Sequence, residues 1–204
     1  MTPEYTEFEY IRPFGGPPTN VTFLIKVKPS GQNLVIKFAD RYGVGAHQLL
    51  ADTRMALRLL YCGLLDGRND FRNAGSHAGG RTKGGGLYVG LTRTVVMEYT
   101  EGDTAAESAP WPNGAHEQVE VAARKLHAAQ LVFGDCENRI LYFQRAKRPL
   151  IDFDWAEKVG EARYPQNLSR SMRWPGDVDE LEMEPILVNH DRSCLISSFP
   201  SNRN

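Results

Sequence analysis

The most informative run of residues in the sequence is LIDFDW, residues 150–155. It is a short apolar run that ends in two acids, Asp152 and Asp154. Upstream, the run LVFGD at residues 131–135 ends in another acid, Asp135, and a short predicted hairpin joins the two runs. Two such carboxylates suit phosphoryl transfer, because one can orient the attacking hydroxyl while the other holds Mg²⁺. Taken alone, Asp-Phe-Asp is better explained as an ordinary strand end with solvated acids.

Two further runs of residues support the phosphoryl-transfer interpretation of these acids. NLVIKF at residues 33–38 alternates as a strand does and carries Lys37, which could reach the α- and β-phosphates of a nucleotide. The competing interpretation is an edge-strand lysine with its ammonium in water. TVVMEY at residues 94–99 is typical of an apolar strand that runs into a polar turn. The order of strand lysine, strand-to-turn passage and two acids is much more specific than any single member.

The run VIKF at residues 35–38, followed by RYG at 41–43 and AH at 46–47, resembles the short kinase-like proteins common in mushroom-forming fungi. That family is similar both to protein kinases and to the aminoglycoside and choline phosphotransferases. The resemblance covers roughly residues 20–192, nearly the whole chain. Further agreement lies in LLA at 49–51, VMEY at 96–99, LH at 126–127, GD at 134–135, IDFDW at 151–155, GEARYP at 160–165, WP at 174–175 and HD at 190–191.

The resemblance implies an α+β, two-lobed protein-kinase-like fold with ATP and Mg²⁺ in the cleft. The N-lobe is expected to be β-rich and to span residues 1–99. The C-lobe, residues 100–204, is expected to be mostly helical with an irregular tail. Only 204 − 152 = 52 residues follow Asp152, and they carry no long amphipathic pattern. We therefore expect the late helices of a kinase C-lobe to be missing or heavily reduced.

The resemblance also implies roles for individual residues. Lys37 is expected to hold phosphate, Asp135 to orient the acceptor hydroxyl, and Asp152 to bind Mg²⁺. Asp154 is expected to add a second metal contact, as in the small-molecule phosphotransferases. Adenine is expected to contact the main chain of the strand-to-turn passage, at Met97, Glu98 and Tyr99.

Two positions near the catalytic acid depart from the pattern of the family. Phe133 stands where the family has a His, two residues before Asp135. Ile140 stands where kinases carry an Asn that binds a second metal ion. Asn138 or Glu137 could serve as that metal ligand if the loop is contracted, and the alternative that both are solvated is equally well supported.

A third departure concerns the partner of Lys37. Kinases pair this lysine with a glutamate of the following helix. Here Val44 and Gly45 stand where an acid is expected, and Asp52 is the nearest acid on the right side of the helix. Loss of one positioned charge at such a site typically costs about 10²–10³ in rate. Weak activity, or none, is therefore a serious alternative.

Periodicity predicts several local elements independently of these motifs. Residues 21–27 and 33–38 form a predicted hairpin, and apolar residues recur at helical spacing between 116 and 130. His127 near the end of this helix could be catalytic, but a histidine that caps the last carbonyls is the favoured interpretation. The run FGGPPTN at residues 14–20 stands where a glycine loop would cover phosphates, yet an ordinary loop is favoured because its prolines remove N–H donors.

Composition narrows the possible partners and compartments. The formal net charge is −1, with 24 basic and 25 acidic residues spread along the chain, so nucleic acid is not an expected partner. No run approaches the roughly 18 apolar residues of a membrane span, and the first residues lack a signal pattern, so no membrane partner is expected. The three cysteines are widely spaced, which favours a reducing intracellular compartment, cytoplasmic or nuclear.

Three functions follow as hypotheses. The first is transfer of the γ-phosphate of ATP, with Mg²⁺, to a hydroxyl of a protein Ser/Thr or of a small molecule. The second is a catalytically impaired pseudokinase that acts as a binding module. The third is an unrelated α+β domain whose motifs arose by chance. Binding of ATP separates the third hypothesis from the other two, and turnover separates the first from the second.

Overall fold

The structure is a computed structural model in which the chain divides into two compact units. The first unit comprises Met1–Arg41 and Leu59–Tyr99, and the second comprises Tyr42–Arg58 and Thr100–Asn204. The structure describes residues 6–14, 22–64, 92–101, 103–104, 114–134, 142–143, 152–164, 166, 168, 170, 174, 176 and 178–198.

An antiparallel sheet of five strands forms the first unit. The strands stand in the order β1-β2-β3-β5-β4, so β3 lies in the middle, between β2 and β5. β-branched and aromatic side chains are frequent in most of these strands, as expected for pleated, half-buried surfaces. The bounds are Phe8–Pro13 for β1, Thr22–Val27 for β2, Asn33–Ala39 for β3, Leu59–Leu64 for β4 and Arg93–Glu98 for β5.

The predicted hairpin is confirmed as β2 and β3, which pair with Ile25 opposite Leu34. The chain reverses through a turn in which Gly31 N–H donates to the Val27 carbonyl at 2.7 Å. Gly31 adopts φ +69°, a left-handed conformation that favours glycine because it has no Cβ. The turn therefore sets the register that brings Lys37 of β3 opposite Thr22 of β2.

The two faces of the sheet differ because side chains alternate along each strand. Leu34 and Ile36 share one face with Ile25, and these three are buried together. Val35 and Lys37 point to the opposite face. Cross-strand pairing brings three more buried apolar side chains to that second face: Leu24, Val95 and Met97. The first unit therefore places Lys37 on the same face as these buried apolar side chains.

Helices and short strand pairs build the second unit. β6 pairs with β8 and β7 pairs with β9, both antiparallel. α2 packs against both α1 and α4. The bounds are Val44–Asp52 for α1, Asp103–Thr104 for β6, Ala115–Ala128 for α2, Leu131–Val132 for β7, Tyr142–Phe143 for β8, Glu157–Lys158 for β9, Val178–Leu181 for α3 and Val188–Ser198 for α4.

The predicted amphipathic helix is confirmed as α2. Its buried residues Val119, Ala122, Ala123 and Leu126 recur three and four positions apart, on one side of the helix. Glu117 in the first turn and Lys125 in the last complement the helix dipole. The 11-residue helix α4 was not expected, because the sequence carries no regular apolar stripe in that region.

The α+β class is therefore correct, with antiparallel strands and few helices in the described residues. The lobe boundaries of 1–99 and 100–204 stay a prediction, and the contacts group α1, Val44–Asp52, with the second unit. No described helix is both long and apolar enough to cross a bilayer. The expected loop at 14–20, apart from Phe14, lies outside the described residues.

Candidate functional site

Lys37 lies on the central strand of the first unit and is only 5% exposed. Its neighbours across the ladder are Thr22 on β2 and Val95 on β5. The edge-strand interpretation of this lysine is therefore wrong, because β3 has a hydrogen-bonded strand on either side. An ammonium out of bulk water is stable only where it meets acceptor atoms. Burial of this kind suits a lysine that binds an anionic group.

The strand-to-turn passage lies in the same unit as Lys37. Met97 is 2% exposed and pairs with Val35 and Leu59, so its main chain belongs to the sheet. Glu98 is the last residue of β5, and Tyr99 lies beyond it. The ring of Tyr99 lies 6.2 Å from that of Phe14, centroid to centroid. Of the three residues expected to contact adenine, only Tyr99 lies outside the regular strand.

The two acids of LIDFDW lie on one tight turn of the second unit. The Asp154 N–H donates to Asp152 Oδ1 at 3.2 Å, the arrangement of an Asx turn. Between them, the ring of Phe153 is fully buried. Both residues are half-buried, and the turn thus presents two carboxylate side chains from positions on either side of Phe153.

A group of four residues, which we call the aromatic clamp, joins this turn to α1. Its members are Tyr42, Gly43, His47 and Phe153. The imidazole of His47 stacks on Phe153 with centroids 4.5 Å apart and planes 8° apart. The Gly43 N–H donates to the Phe153 carbonyl at 2.8 Å. The Phe133 ring contacts the Phe153 ring edge-on, with the two centroids 5.5 Å apart.

His47 is fully buried and uses both ring nitrogens. Its Nε2 lies 2.6 Å from the Leu57 carbonyl, and its Nδ1 lies 2.7 Å from the Tyr42 hydroxyl. A carbonyl oxygen only accepts, so Nε2 carries the proton and Nδ1 accepts from Tyr42. Burial lowers the pKa of His47 to about 4, against a smaller opposing effect of the Leu57 carbonyl. His47 is therefore neutral at neutral pH.

Glycine is required at position 43 for close packing. A Cβ there would meet the Ala156 carbonyl oxygen, and it would lie 2.7 Å from the Ala156 Cβ. These distances are shorter than real Cβ atoms allow. Gly43 thus lets the start of α1 approach the main chain of the turn after Phe153.

Asp191 is the functional candidate that the sequence reasoning missed. This side chain of α4 is buried, and its Oδ1 accepts from Gly134 N–H at 2.7 Å. Its Oδ2 accepts from Phe133 N–H at 3.1 Å and from His127 Nε2 at 2.7 Å. Asp191 thereby anchors the two residues that directly precede Asp135. The only available signal was the run HD at 190–191 within the resemblance.

The residues around this anchor show three further features. The interpretation of His127 as a cap for helix carbonyls is wrong, because its Nε2 binds Asp191 instead. Burial, and then the negative charge of Asp191, raises the pKa of Tyr164 to about 12. Gly134 itself adopts φ +78°, and a Cβ there would lie 2.8 Å from the Trp155 carbonyl oxygen.

The proposed metal ligands fit Mg²⁺ in chemistry. Asp135, Glu137, Asn138 and Ile140 lie outside the described residues. Within the described part of the chain, no three His, Cys, Asp or Glu side chains cluster as a metal site. Mg²⁺, however, is commonly held by one or two carboxylates together with phosphates and waters. The pair on the Asx turn therefore suits a cation that arrives with a nucleotide.

Comparison with known proteins adds no further identification. No protein-family model matches the chain, and no curated protein matches it significantly. The interpretation of the site therefore depends on the residues and contacts described above.

Proposed function

We propose that the chain is a two-lobed, protein-kinase-like domain that binds ATP with Mg²⁺ and transfers the γ-phosphate to a hydroxyl acceptor. The acceptor is a protein Ser/Thr or a small molecule. The observation that carries this proposal is the burial of Lys37 on the central third strand of the sheet. Protein kinases likewise carry their phosphate-binding lysine on the third strand.

The residues divide the work of this reaction as follows. Lys37 binds the α- and β-phosphates, and the main chain near Tyr99 contacts adenine. Asp152 and Asp154 hold Mg²⁺, which when bound neutralises charge on the phosphate oxygens. Asp135 orients the acceptor hydroxyl. Phosphoryl transfer depends on positioning and on charge more than on covalent catalysis. A phosphate-binding lysine, metal-binding carboxylates and an acid that orients the hydroxyl are therefore the kinds of group that it needs.

Asp191 supports the proposed role of the residue that follows Gly134. Its carboxylate accepts both the Phe133 and the Gly134 N–H groups, so the main chain just before Asp135 is held at two points. Hydrogen bonds to a charged acceptor are stronger than neutral ones. A catalytic acid gains accuracy from such a fixed approach, because small displacements at a reacting centre are costly in rate.

A second candidate function is a pseudokinase that keeps the nucleotide site but lacks turnover. One observation favours it: α1 carries no acid in its first turn. Its one acid, Asp52, is the last residue of the helix and is exposed. Kinases place the glutamate that pairs with this lysine on the helix that follows, and α1 carries no glutamate.

A calorimetric titration with ATP, with and without Mg²⁺, tests the proposal. We expect binding that strengthens with Mg²⁺, and Lys37→Met should weaken it about tenfold or more, because bonds to charged groups are involved. Lys26→Met is the matched control, since Lys26 is an exposed lysine of the neighbouring strand β2. ATP consumption then separates the enzyme from the pseudokinase. Absence of any ATP binding would indicate an unrelated α+β domain.

A further inference from the structure

The first strand, β1, is a terminal strand of the five-stranded sheet. Among the strands that the structure describes, β1 pairs only with β2. Residues 9–13 are all exposed, and Tyr10 and Ile11 in the middle of the strand are 52% and 47% exposed. An exposed edge strand with large apolar side chains is a template for pairing with a strand of another molecule, because its outward main-chain groups can still form a ladder.

The hydrogen bonds to β2 show which main-chain groups of β1 face this edge. The Glu7 carbonyl accepts from the Lys28 N–H at 3.0 Å, so the main chain of Glu7 points toward β2. The direction alternates along an antiparallel strand, so the N–H and C=O groups of Phe8 and Tyr10 point away from β2. Two residues of the strand therefore offer both a donor and an acceptor at the edge.

Pro13 sets the other end of this pairing edge. The Phe14 N–H donates to the Thr22 carbonyl at 2.9 Å, so the main chain of the preceding residue, Pro13, is directed away from β2. Proline has a carbonyl acceptor but no N–H donor. A strand that pairs with β1 can thus bond to Pro13 through its carbonyl alone, which makes Pro13 a natural end of the ladder.

A bulge in β1 brings two opposite charges to one face of the strand. Residues three apart normally lie on opposite faces. Here the register with β2 shifts between Tyr10 and Arg12, so Ile11 is an additional residue. Glu9 and Arg12 consequently share the face that carries Leu24 of β2. Within the described residues, neither Glu9 nor Arg12 forms an ion pair.

One antiparallel register between two copies of β1 matches both the faces and the charges. It is centred between Tyr10 and Ile11, and it sets every Glu9 opposite an Arg12 of the other copy. A register in which Phe8 lies opposite Tyr10 also matches the faces, but it sets Glu9 against Glu9, and like charges directly opposite are destabilising. The facing pairs of the favoured register are Phe8 with Pro13, Glu9 with Arg12, and Tyr10 with Ile11.

The favoured register also places the charges where they interact best. The main chains of Glu9 and Arg12 point toward β2, so between two copies these residues form pairs without main-chain hydrogen bonds. Side chains lie closest in such pairs. The register is symmetric, so each Glu9 and each Arg12 has a partner and the dimer contains the ion pair twice. The edge of β1 is thus complementary in charge to a second copy of itself.

We propose that β1 is a self-association surface, at which a second copy of this chain adds its own β1 antiparallel and extends the sheet through both copies. Binding of nucleotide is not required, so this proposal stands apart from the proposed function. A pairing of six residues is small beside the roughly 1,200–2,000 Å² that stable interfaces bury. The dimer is therefore weak and depends on protein concentration.

Sedimentation velocity of the full chain over a range of concentrations up to about 500 µM tests the proposal. We expect a reversible monomer–dimer equilibrium with a Kd on the order of 10–100 µM. Arg12→Glu and Glu9→Arg each set like charges opposite one another twice, and each should raise the Kd about tenfold or more. The double variant Glu9→Arg/Arg12→Glu exchanges the charges, and its Kd should return to within about threefold of the wild-type value.

Arg124→Glu is the matched control, because Arg124 is an exposed residue of α2 and the substitution changes the net charge as Arg12→Glu does. It should leave the Kd unchanged. Thermal unfolding shows whether each variant is folded, and the charge exchange keeps the test decisive if one single variant is not. A wild type that stays monomeric at the highest concentration, or a double variant that dimerises no better than the single variants, would overturn the proposal.

Hydrogen exchange by NMR locates the interface independently of the variants. The Tyr10 amide faces the open edge, so its exchange should slow by about threefold or more once most of the chain is dimeric. The Glu9 amide points toward β2 and serves as the internal control, since its exchange should change much less. If the chain dimerises while the Tyr10 amide exchanges as in the monomer, the copies associate through another surface and the proposal is wrong.

Discussion

The two units place their buried polar side chains on different kinds of structure. The first unit buries Lys37 within a regular ladder, where β2 and β5 lie on either side. The second unit buries His47 and Asp191 with side-chain hydrogen bonds, and those of Asp191 join residues that are remote in sequence. The ladder consists of many equivalent main-chain bonds, whereas the second unit depends on a few individual side chains. Single substitutions should therefore have much larger effects on stability in the second unit than in the first.

The largest expected effect is that of Asp191→Ala. It leaves the Phe133 and Gly134 N–H groups buried without their acceptor, and each such group costs about 1–3 kcal/mol. We expect the free energy of unfolding to fall by roughly 3–5 kcal/mol, measured by urea denaturation. Lys37→Met, the counterpart in the sheet, should lower it by less, because the main-chain ladder of β3 with β2 and β5 is retained.

One further variant, and one outcome that would contradict the prediction, test this difference between the two units. Asp191→Asn keeps one oxygen acceptor, so its loss should fall between those of the wild type and Asp191→Ala. Equal losses for Asp191→Ala and Lys37→Met would show that the two units do not differ in the way described.

The next effect is a pH dependence of stability that comes from His47. Its pKa is lowered from 6.5 to about 4 by burial, so the unfolded chain takes up a proton at a higher pH than the folded one. Stability from this group is fully present above pH 6.5 and is lost as pH falls from 6.5 toward 4. Since one pKa unit corresponds to about 1.4 kcal/mol, the total loss is roughly 3 kcal/mol.

Urea denaturation at pH 7 and pH 4.5 measures this effect. His47→Phe is the comparison, because it lacks the titrating ring while the other groups that titrate in this range remain. We expect a smaller pH dependence in the variant than in the wild type. The same pH dependence in both proteins would mean that His47 binds a proton as readily in the folded state as in the unfolded state.

The smallest expected effect is the difference in stability between substitutions at two glycines near the start of α1. Gly43→Ala brings a Cβ against Ala156 and should lower the free energy of unfolding by about 1–3 kcal/mol. Gly45→Ala meets no atom within 4 Å and should raise it by about 0.5–1 kcal/mol, because alanine favours a helix. Thermal unfolding of both variants measures the difference. A stabilising Gly43→Ala would argue against the close packing of the aromatic clamp.

The features that could be predicted from the sequence are those that repeat over short distances. The alternation in NLVIKF places Lys37 on a strand, and the spacing of Val119, Ala122 and Leu126 places α2. The sequence left open whether that strand was central or at an edge, since strand order depends on pairing with residues 93–98. Local periodicity thus establishes the elements but not their neighbours.

The remaining part of the site could not be predicted because its contacts are long-range. Asp191 binds Gly134 and Phe133 across 57 and 58 positions, and no short pattern records such a bond. The same is true of His47, whose packing on Phe153 makes α1 part of the second unit. His127 was misinterpreted for this reason, since only its neighbours in sequence were considered.

The hydrogen bond from Gly43 to Phe153 also has a consequence for folding of the chain during its synthesis on the ribosome. The two residues are 153 − 43 = 110 positions apart, so the bond cannot form until that length has been synthesised. At about 5–20 residues per second, the delay is on the order of ten seconds. The β2–β3 hairpin can form without this delay, because its two strands are neighbours in the sequence. α1 therefore spends that interval without Phe153, and the ring face of His47 that later stacks on Phe153 stays uncovered by it.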